Sequence, residues 1–119
     1  MRSVVLGRQH VERSRQRATA LTEDWQTFIT QYAWGDIWTR PGLDRKTRSM
    51  LTIALLTALG QEEELKLHFR ATANTGVSRD EVKEILMHTA VYAGVPAANT
   101  AFAHARAVFD EMDKEKANG

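Results

Sequence analysis

Apolar residues recur along this chain at three- and four-residue steps, which is the spacing of one face of an α-helix. Within residues 9–33, one such stripe contains Leu21, Trp25, Phe28, Ile29 and Tyr32. The breaks between helix-sized pieces are Gly35, Pro41, Gly42, Gly60, Gly76, Gly94 and Pro96. No alternating strand pattern and no repeat is present. The pattern therefore predicts an all-α fold of five or six helices, forming one compact domain over residues 1–119.

Capping residues mark the expected ends of the central helices. After a connector at residues 33–44, Asp44 is the predicted N-cap of a helix over 45–59, and Gly60 suits its C-terminal cap. This helix is polar for one turn and then apolar nearly all round, so we expect it to be the buried centre of the domain.

The second half of the chain shows equally local signals. A helix is predicted over 61–74, and Ser78 with Glu81 forms a capping box for a helix that runs to residue 92 or 93. Pro96 fits the first turn of a last helix over about 96–113. We expect the end of the chain, residues 110–119, to fray in solvent.

Composition and charge narrow the possible functions. With 16 basic and 15 acidic residues the net charge is +1, which argues weakly against a dedicated nucleic-acid-binding protein. The absence of cysteine excludes disulfides, thiolate metal sites and thiol redox chemistry. The longest apolar stretch, residues 50–59, is about half the length that spans a bilayer, and the N-terminal apolar run is too short for a signal peptide. We therefore expect a cytoplasmic protein without membrane contact.

The histidines do not show the spacing of a metal site. None of His10, His68, His88 and His104 lies three or four residues from another, so no single helix supplies two of them to one ion. Gly-rich phosphate loops are also absent. From this pattern we predict neither a metal nor a bound cofactor.

His68 is the most informative of the four, because it lies on a mostly apolar helix face with Leu65, Phe69 and Thr72. A lone histidine in such a place is more often structural than catalytic. Glu64 lies one helical turn earlier, where a carboxylate can orient an imidazole that acts as a general acid. Spacing alone leaves both interpretations open.

A basic cluster lies around the connector and the start of the 45–59 helix, and it contains Arg40, Arg45, Lys46 and Arg48. Its ordinary interpretation is a solvated face. Cations at a helix N-terminus gain nothing from the helix dipole, however, so a bound anion would explain them. Arginine binds carboxylates in a bidentate manner, and the neighbouring Trp34 and Trp38 could form the wall of a pocket. An alternative is a DNA-binding module anchored by "DRKTRS", which the near-zero net charge opposes.

Three stretches, "WGDIWTRPGLDRKTRS", "EELKLHFRAT" and "YAGVPAAN", identify a resemblance to the carboxymuconolactone decarboxylase family over about residues 4–109. In the related peroxidases similar to alkylhydroperoxidase D, two cysteines and an upstream glutamate accompany a histidine. Here those positions carry Gln61, Glu64 and Ser49, and only the histidine, at His68, is kept. The resemblance thus implies the decarboxylase branch, with His68 as the catalytic residue and Glu64 as its partner.

The resemblance further implies an AhpD-like helical fold, assembled into ring-like oligomers that are commonly hexamers built from trimers. It implies a carboxy-lyase that converts 4-carboxymuconolactone, a small lactone with two carboxylates, to 3-oxoadipate enol-lactone in the β-ketoadipate pathway of protocatechuate degradation. Arg40, Arg45, Arg48, Trp34 and Trp38 would bind this substrate, and no cofactor is required because the substrate accepts its own electrons. The alternative is an oligomer of the same fold without this activity. His88 and Tyr92 could approach the same pocket.

Overall fold

The computed structural model describes residues 1–119 and contains helices but no strand. Its α-helices, in chain order, are α1 Arg2–Leu6, α2 Arg8–Gln16, α3 Glu23–Ile29, α4 Arg45–Leu59, α5 Glu62–Thr75, α6 Arg79–Ala93 and α7 Val95–Asn118. A π-helix, Thr30–Ile37, continues directly from α3. The all-α prediction is confirmed, with one or two more helices than expected. None of these helices is both long enough and apolar enough to cross a membrane.

Residues 9–33, the first of the helix-sized pieces in the sequence, do not form one helix. Residues 17–22 form turns between α2 and α3, and α1 precedes them both. Gly7 separates α1 from α2 with a φ of 92°, a conformation that glycine adopts without strain. The physical reason for the break is that α2 buries no residue. Without a continuous apolar stripe, nothing holds residues 8–33 in one rod.

The predicted caps are confirmed by the structure. The Asp44 side chain accepts a hydrogen bond from the Thr47 amide at 2.7 Å, and Gly60 ends α4 with a left-handed φ of 71°. Ser78 and Glu81 make both hydrogen bonds of the capping box, at 3.0 and 2.9 Å. These local interactions fix where α4 and α6 begin, and hence how they pack on α5.

Two hydrophobic cores hold the helices together. The larger core joins α4, α5, α6 and α7 around the fully buried Ile53, Phe69 and Leu86. The smaller core joins α1, the π-helix and α5 through Val5, Trp34 and Ala71. A hydrogen bond of 2.9 Å from the Asn74 side-chain amide to the Val5 carbonyl also fastens α1 to α5. The smaller core is the one that positions the candidate site.

The expectation that the 45–59 helix would be the buried centre is wrong for the single chain. Ile53 is fully buried, but Leu51, Leu55 and Leu59 are 48%, 60% and 68% exposed. The reason is that α5, α6 and α7 all pack on one side of α4 and leave its other side uncovered. The aromatic stripe of α3 is similarly exposed, although its rings stack on one another.

The C-terminal segment does not fray at residue 110, as the sequence suggested, because α7 continues to Asn118. Arg70 of α5 donates to both carboxylate oxygens of Glu115, at 2.8 and 3.1 Å. Arg79 of α6 pairs in the same bidentate way with Asp113, at 2.9 and 2.7 Å. These exposed ion pairs tie the last turns of α7 to the helices beside it.

Candidate active site

His68 lies in the middle of α5 and is only 5% exposed. Leu65, Phe69 and Thr72 on the same helix face are buried as well, which confirms the face predicted from their spacing. A position so deep in the fold removes the imidazole from water, and this determines its charge.

Two tryptophans stack beside the His68 ring. The Trp34 and Trp38 centroids lie 5.0 Å apart, and they lie 6.3 and 6.4 Å from the imidazole centroid. The imidazole plane is within 8° of the Trp34 plane and 19° of the Trp38 plane. We call these three rings the ring cluster. Both tryptophans come from the π-helical region, where the Trp38 amide donates to the Ala33 carbonyl at 2.9 Å, and π-helical turns frequently occur at functional sites.

Burial lowers the pKa of His68 to about 4, and the positive charge of His10 contributes to this lowering. The imidazole is therefore neutral at neutral pH in the free protein. Its Nδ1 atom is buried and has no hydrogen-bond partner. A buried polar atom without a partner is costly, and such atoms are frequent where a ligand completes the site.

The sequence did not reveal that His10, on α2, is close enough to His68 to affect its pKa. Burial lowers its pKa, and the charges of Arg2, Arg13 and Arg17 lower it further. The carboxylate of Glu64 opposes them by favouring the protonated ring. His10 thus lies within electrostatic range of both His68 and Glu64. The break at Gly7 was the one sequence signal that α2 could fold back toward α5.

Glu64 lies one turn before His68 but is exposed, and no hydrogen bond joins the two side chains. Its charge acts on His10 instead. The role of Glu64 in orienting His68 therefore stays a prediction.

Two of the connector arginines lie together, and no hydrogen bond or cation–π contact joins them to the ring cluster. Arg48 donates to the Arg40 carbonyl at 3.1 Å, and its Nε is buried without an acceptor. Arg40 and Arg45 are exposed. Lys46 pairs with Glu81 at 2.8 Å, so much of the proposed DNA anchor is engaged within the chain.

His88 and Tyr92 pack against each other on the exposed side of α6, with ring centroids 5.1 Å apart. They make no contact with the ring cluster within the chain. No group of three or more histidine and carboxylate side chains is placed to hold a metal ion.

An open cavity of about 890 Å³ lies between the N-terminal helices and the α3–π-helix segment. Its lining includes Arg2, Arg15, Glu23 and Trp34. His68 does not line the cavity, but Trp34 borders both. The volume is within the usual range of small-molecule sites.

The model of the carboxymuconolactone decarboxylase family matches residues 23–107. The chain belongs to this family. The match includes both tryptophans and His68, whereas α1 and α2, which carry Arg2 and His10, lie before it. Family membership confirms the resemblance that the sequence motifs carried.

Two curated relatives of this family member are decarboxylases by name. A 4-carboxymuconolactone decarboxylase from Acinetobacter baylyi is 49% identical over 112 residues, which cover 94% of this chain and 84% of the relative. A nitrosuccinic acid decarboxylase from Metarhizium robertsii is 41% identical over 112 residues, covering 94% of this chain and 78% of the relative. Both alignments extend beyond the family match and include most of the N-terminal helices.

The sequence resemblance matched Ser49 with a glutamate of the related peroxidases. Ser49 is fully buried and accepts a hydrogen bond of 2.9 Å from the Thr75 hydroxyl. It joins α4 to α5. The position therefore has a structural use that requires no ionisable group.

Proposed function

We propose that this protein is a carboxy-lyase that converts 4-carboxymuconolactone to 3-oxoadipate enol-lactone and CO₂, as a step of the β-ketoadipate pathway of aromatic breakdown in the cytoplasm. The observation that carries the proposal is the 49% identity, over 94% of this chain, to a relative named 4-carboxymuconolactone decarboxylase. The second relative acts, by its name, on nitrosuccinic acid, which also has two carboxyl groups and a group, the nitro group, that can accept an electron pair.

The chemistry requires little covalent participation by the protein. The bond between the ring carbon and the leaving carboxylate breaks, and its electron pair moves through the ring double bond to the lactone carbonyl oxygen. The resulting dienolate then takes a proton on the ring carbon next to that carbonyl. The substrate is its own electron sink, so the protein must position it, hold the retained carboxylate and deliver the proton.

His68 is the proposed proton donor, with Glu64 as its positioning partner. A neutral imidazole must first acquire a proton, and the two negative charges of the substrate favour this. Raising its pKa from about 4 to 7 requires roughly 4 kcal/mol. One carboxylate about 5 Å away at an effective dielectric of about 20 contributes roughly 3 kcal/mol. Two carboxylates are therefore sufficient to raise the pKa of His68 to about 7. The imidazole takes up its proton from solvent when the substrate binds.

Trp34 and Trp38 are proposed to form the apolar wall of the site. Their near-parallel stacking with the imidazole supports a flat, poorly hydrated surface beside the donor. A carboxylate held against such a wall loses solvation that neutral CO₂ does not need. For the retained carboxylate, Arg40, Arg45 and Arg48 stay sequence-based candidates.

The protein is also proposed to assemble into a ring-like homo-oligomer, with a hexamer as the expected form. The uncovered leucines Leu51, Leu55 and Leu59 make an apolar stripe on α4, and Met87 and Val91 of α6 add to the exposed apolar surface. Surfaces of this kind are typical of interfaces. Light scattering should give a mass several times the 13.4 kDa of one chain, and an active species of single-chain mass would contradict it.

The test of function is CO₂ release from 4-carboxymuconolactone, with the product formed in D₂O examined by NMR. We expect one deuterium on the carbon next to the carbonyl, on one face only. His68→Gln should lower turnover by roughly 10²- to 10⁴-fold while folding and assembly persist, and Glu64→Gln should lower it less. Wild-type turnover and stereochemistry in His68→Gln would make His68 a structural core residue. No CO₂ release by the wild type would favour a non-catalytic oligomer.

A further inference from the structure

Arg2, on α1, is a fixed cation without an anionic partner. Its guanidinium donates to the Thr30 hydroxyl at 3.0 Å and to the Gln26 side-chain oxygen at 3.1 Å. Both acceptors are neutral, and Arg2 takes part in none of the ion pairs of the structure. Its Nε is buried with no acceptor at all. The side chain is therefore preorganised, and no carboxylate of the chain forms an ion pair with it.

Arg2 lines the cavity of about 890 Å³ between the N-terminal helices and the α3–π-helix segment, and so do Gln26 and Thr30, the two residues to which its guanidinium donates. Trp34 lines this cavity too, and Trp34 stacks with His68. A small molecule in this cavity can thus contact both Arg2 and Trp34, one of the three rings of the cluster. The connector arginines, Arg40 and Arg48, do not line the cavity.

Electrostatic effects link Arg2 to the same site. Among the charged groups near His10, Arg2 has the largest effect on the pKa of that imidazole. His10 in turn is the charged group that lowers the pKa of His68. No arginine of the connector acts on either ring. The electrostatic influence on the proposed proton donor therefore comes from the N-terminal helices and not from the connector.

We propose that Arg2 binds the carboxylate that the substrate keeps, and that it thereby selects acids with a second carboxylate. The proposal rests on the proposed decarboxylation, and it moves anion binding from the connector arginines to α1. A guanidinium in a direct ion pair with the leaving carboxylate would stabilise the ground state and oppose CO₂ loss. A fixed cation beside the retained carboxylate holds the substrate equally well before and after the bond breaks.

The first experiment measures binding without turnover. The probe is (5-oxo-2,5-dihydrofuran-2-yl)acetate, which keeps the lactone ring and the acid arm but has no carboxylate to lose; its methyl ester lacks the charge. By calorimetry we expect the wild type to bind the acid roughly 30- to 1,000-fold more tightly than the ester. Arg2→Met should bind the two alike. Arg8→Met removes an exposed arginine of α2 outside the cavity, so it should behave as the wild type.

Arg2→Lys separates binding from a structural role, since it keeps the charge but loses the planar fork. We expect it to keep part of the preference for the acid, whereas a purely structural Arg2 would make the Lys and Met variants alike. Retention of the full preference in a folded Arg2→Met, or equal binding of acid and ester by the wild type, overturns the proposal. If Arg2→Met does not fold, the proposal is tested by the ratio of the affinities for acid and ester, measured in the wild type and in Arg2→Lys.

Turnover provides an independent comparison. With 4-carboxymuconolactone, Arg2→Met should lose roughly 30- to 1,000-fold in kcat/KM, and Arg48→Met should lose far less. A larger loss in Arg48→Met than in Arg2→Met would mean that the connector arginines bind the retained carboxylate. A wild type that binds the probe through Arg2 but releases no CO₂ would refute the decarboxylation and leave the anion site intact, so the two failures are distinguishable.

Discussion

Acidification should protonate His68 and cost the folded protein stability. In the unfolded chain an imidazole titrates near its ordinary pKa of 6.5, whereas burial lowers the pKa of His68 to about 4 in the fold. A lowered pKa means that His68 binds a proton more weakly in the native state than in the unfolded chain. The contribution of neutral His68 to the free energy of unfolding is therefore fully present above pH 6.5, and it is lost as the pH falls from 6.5 to about 4. At 1.36 kcal/mol per pKa unit, this loss is about 3 kcal/mol.

Urea unfolding at a fixed protomer concentration, repeated from pH 7.5 to 4, measures this effect. Carboxylates also change the stability toward the acid end of that range, among them Glu115 and Asp113, whose arginine partners lower their pKa values in the folded protein. His68→Gln is the matched control, because these carboxylates are common to both proteins. The free energy of unfolding should fall by about 3 kcal/mol more in the wild type than in the variant. NMR titration of the His68 ring should give a midpoint near 4. Equal pH dependence, or a midpoint near 6.5, would refute the assignment of a buried neutral imidazole.

Two further predictions follow from the site and from the uncovered face of α4. Binding of the dianionic substrate at neutral pH should take up close to one proton per site, seen by calorimetry in buffers of different ionisation enthalpy; its absence would mean that His68 does not acquire the proton it is proposed to deliver. Leu55→Asp places a charge on a side chain that is 60% exposed in the single chain, so it should leave the monomer folded but reduce the mass seen by light scattering. An unchanged mass would place the interface elsewhere.

The sequence predicted the features of this fold that depend on neighbouring residues. Asp44, Gly60 and the pair Ser78–Glu81 cap their helices as expected, because a cap needs a partner within a few residues. The buried face around His68 also follows from helical spacing alone. These signals are local, so they do not depend on how distant segments of the chain pack.

The sequence did not predict contacts between distant segments. α2 is almost entirely polar, and nothing in its pattern places His10 within electrostatic range of His68. Arg70 and Glu115 are 45 positions apart, and their pairing depends on how α5 packs against α7. The exposure of Leu51 likewise depends on which side of α4 its neighbours cover. Such features follow from the three-dimensional arrangement, which periodicity does not encode.

The π-helix makes the ring cluster depend on the length of the chain as well as on its composition. Because the Trp38 amide bonds to Ala33, five residues back, this turn holds one residue more than an α-helical turn. Deleting a single residue such as Gly35 would allow the segment to become a regular α-helix and would move Trp38 relative to Trp34. An indel of one codon could thus separate the two rings while every side chain of the cluster was kept. Within this fold, the number of residues between the two tryptophans matters to the cluster as much as the tryptophans themselves.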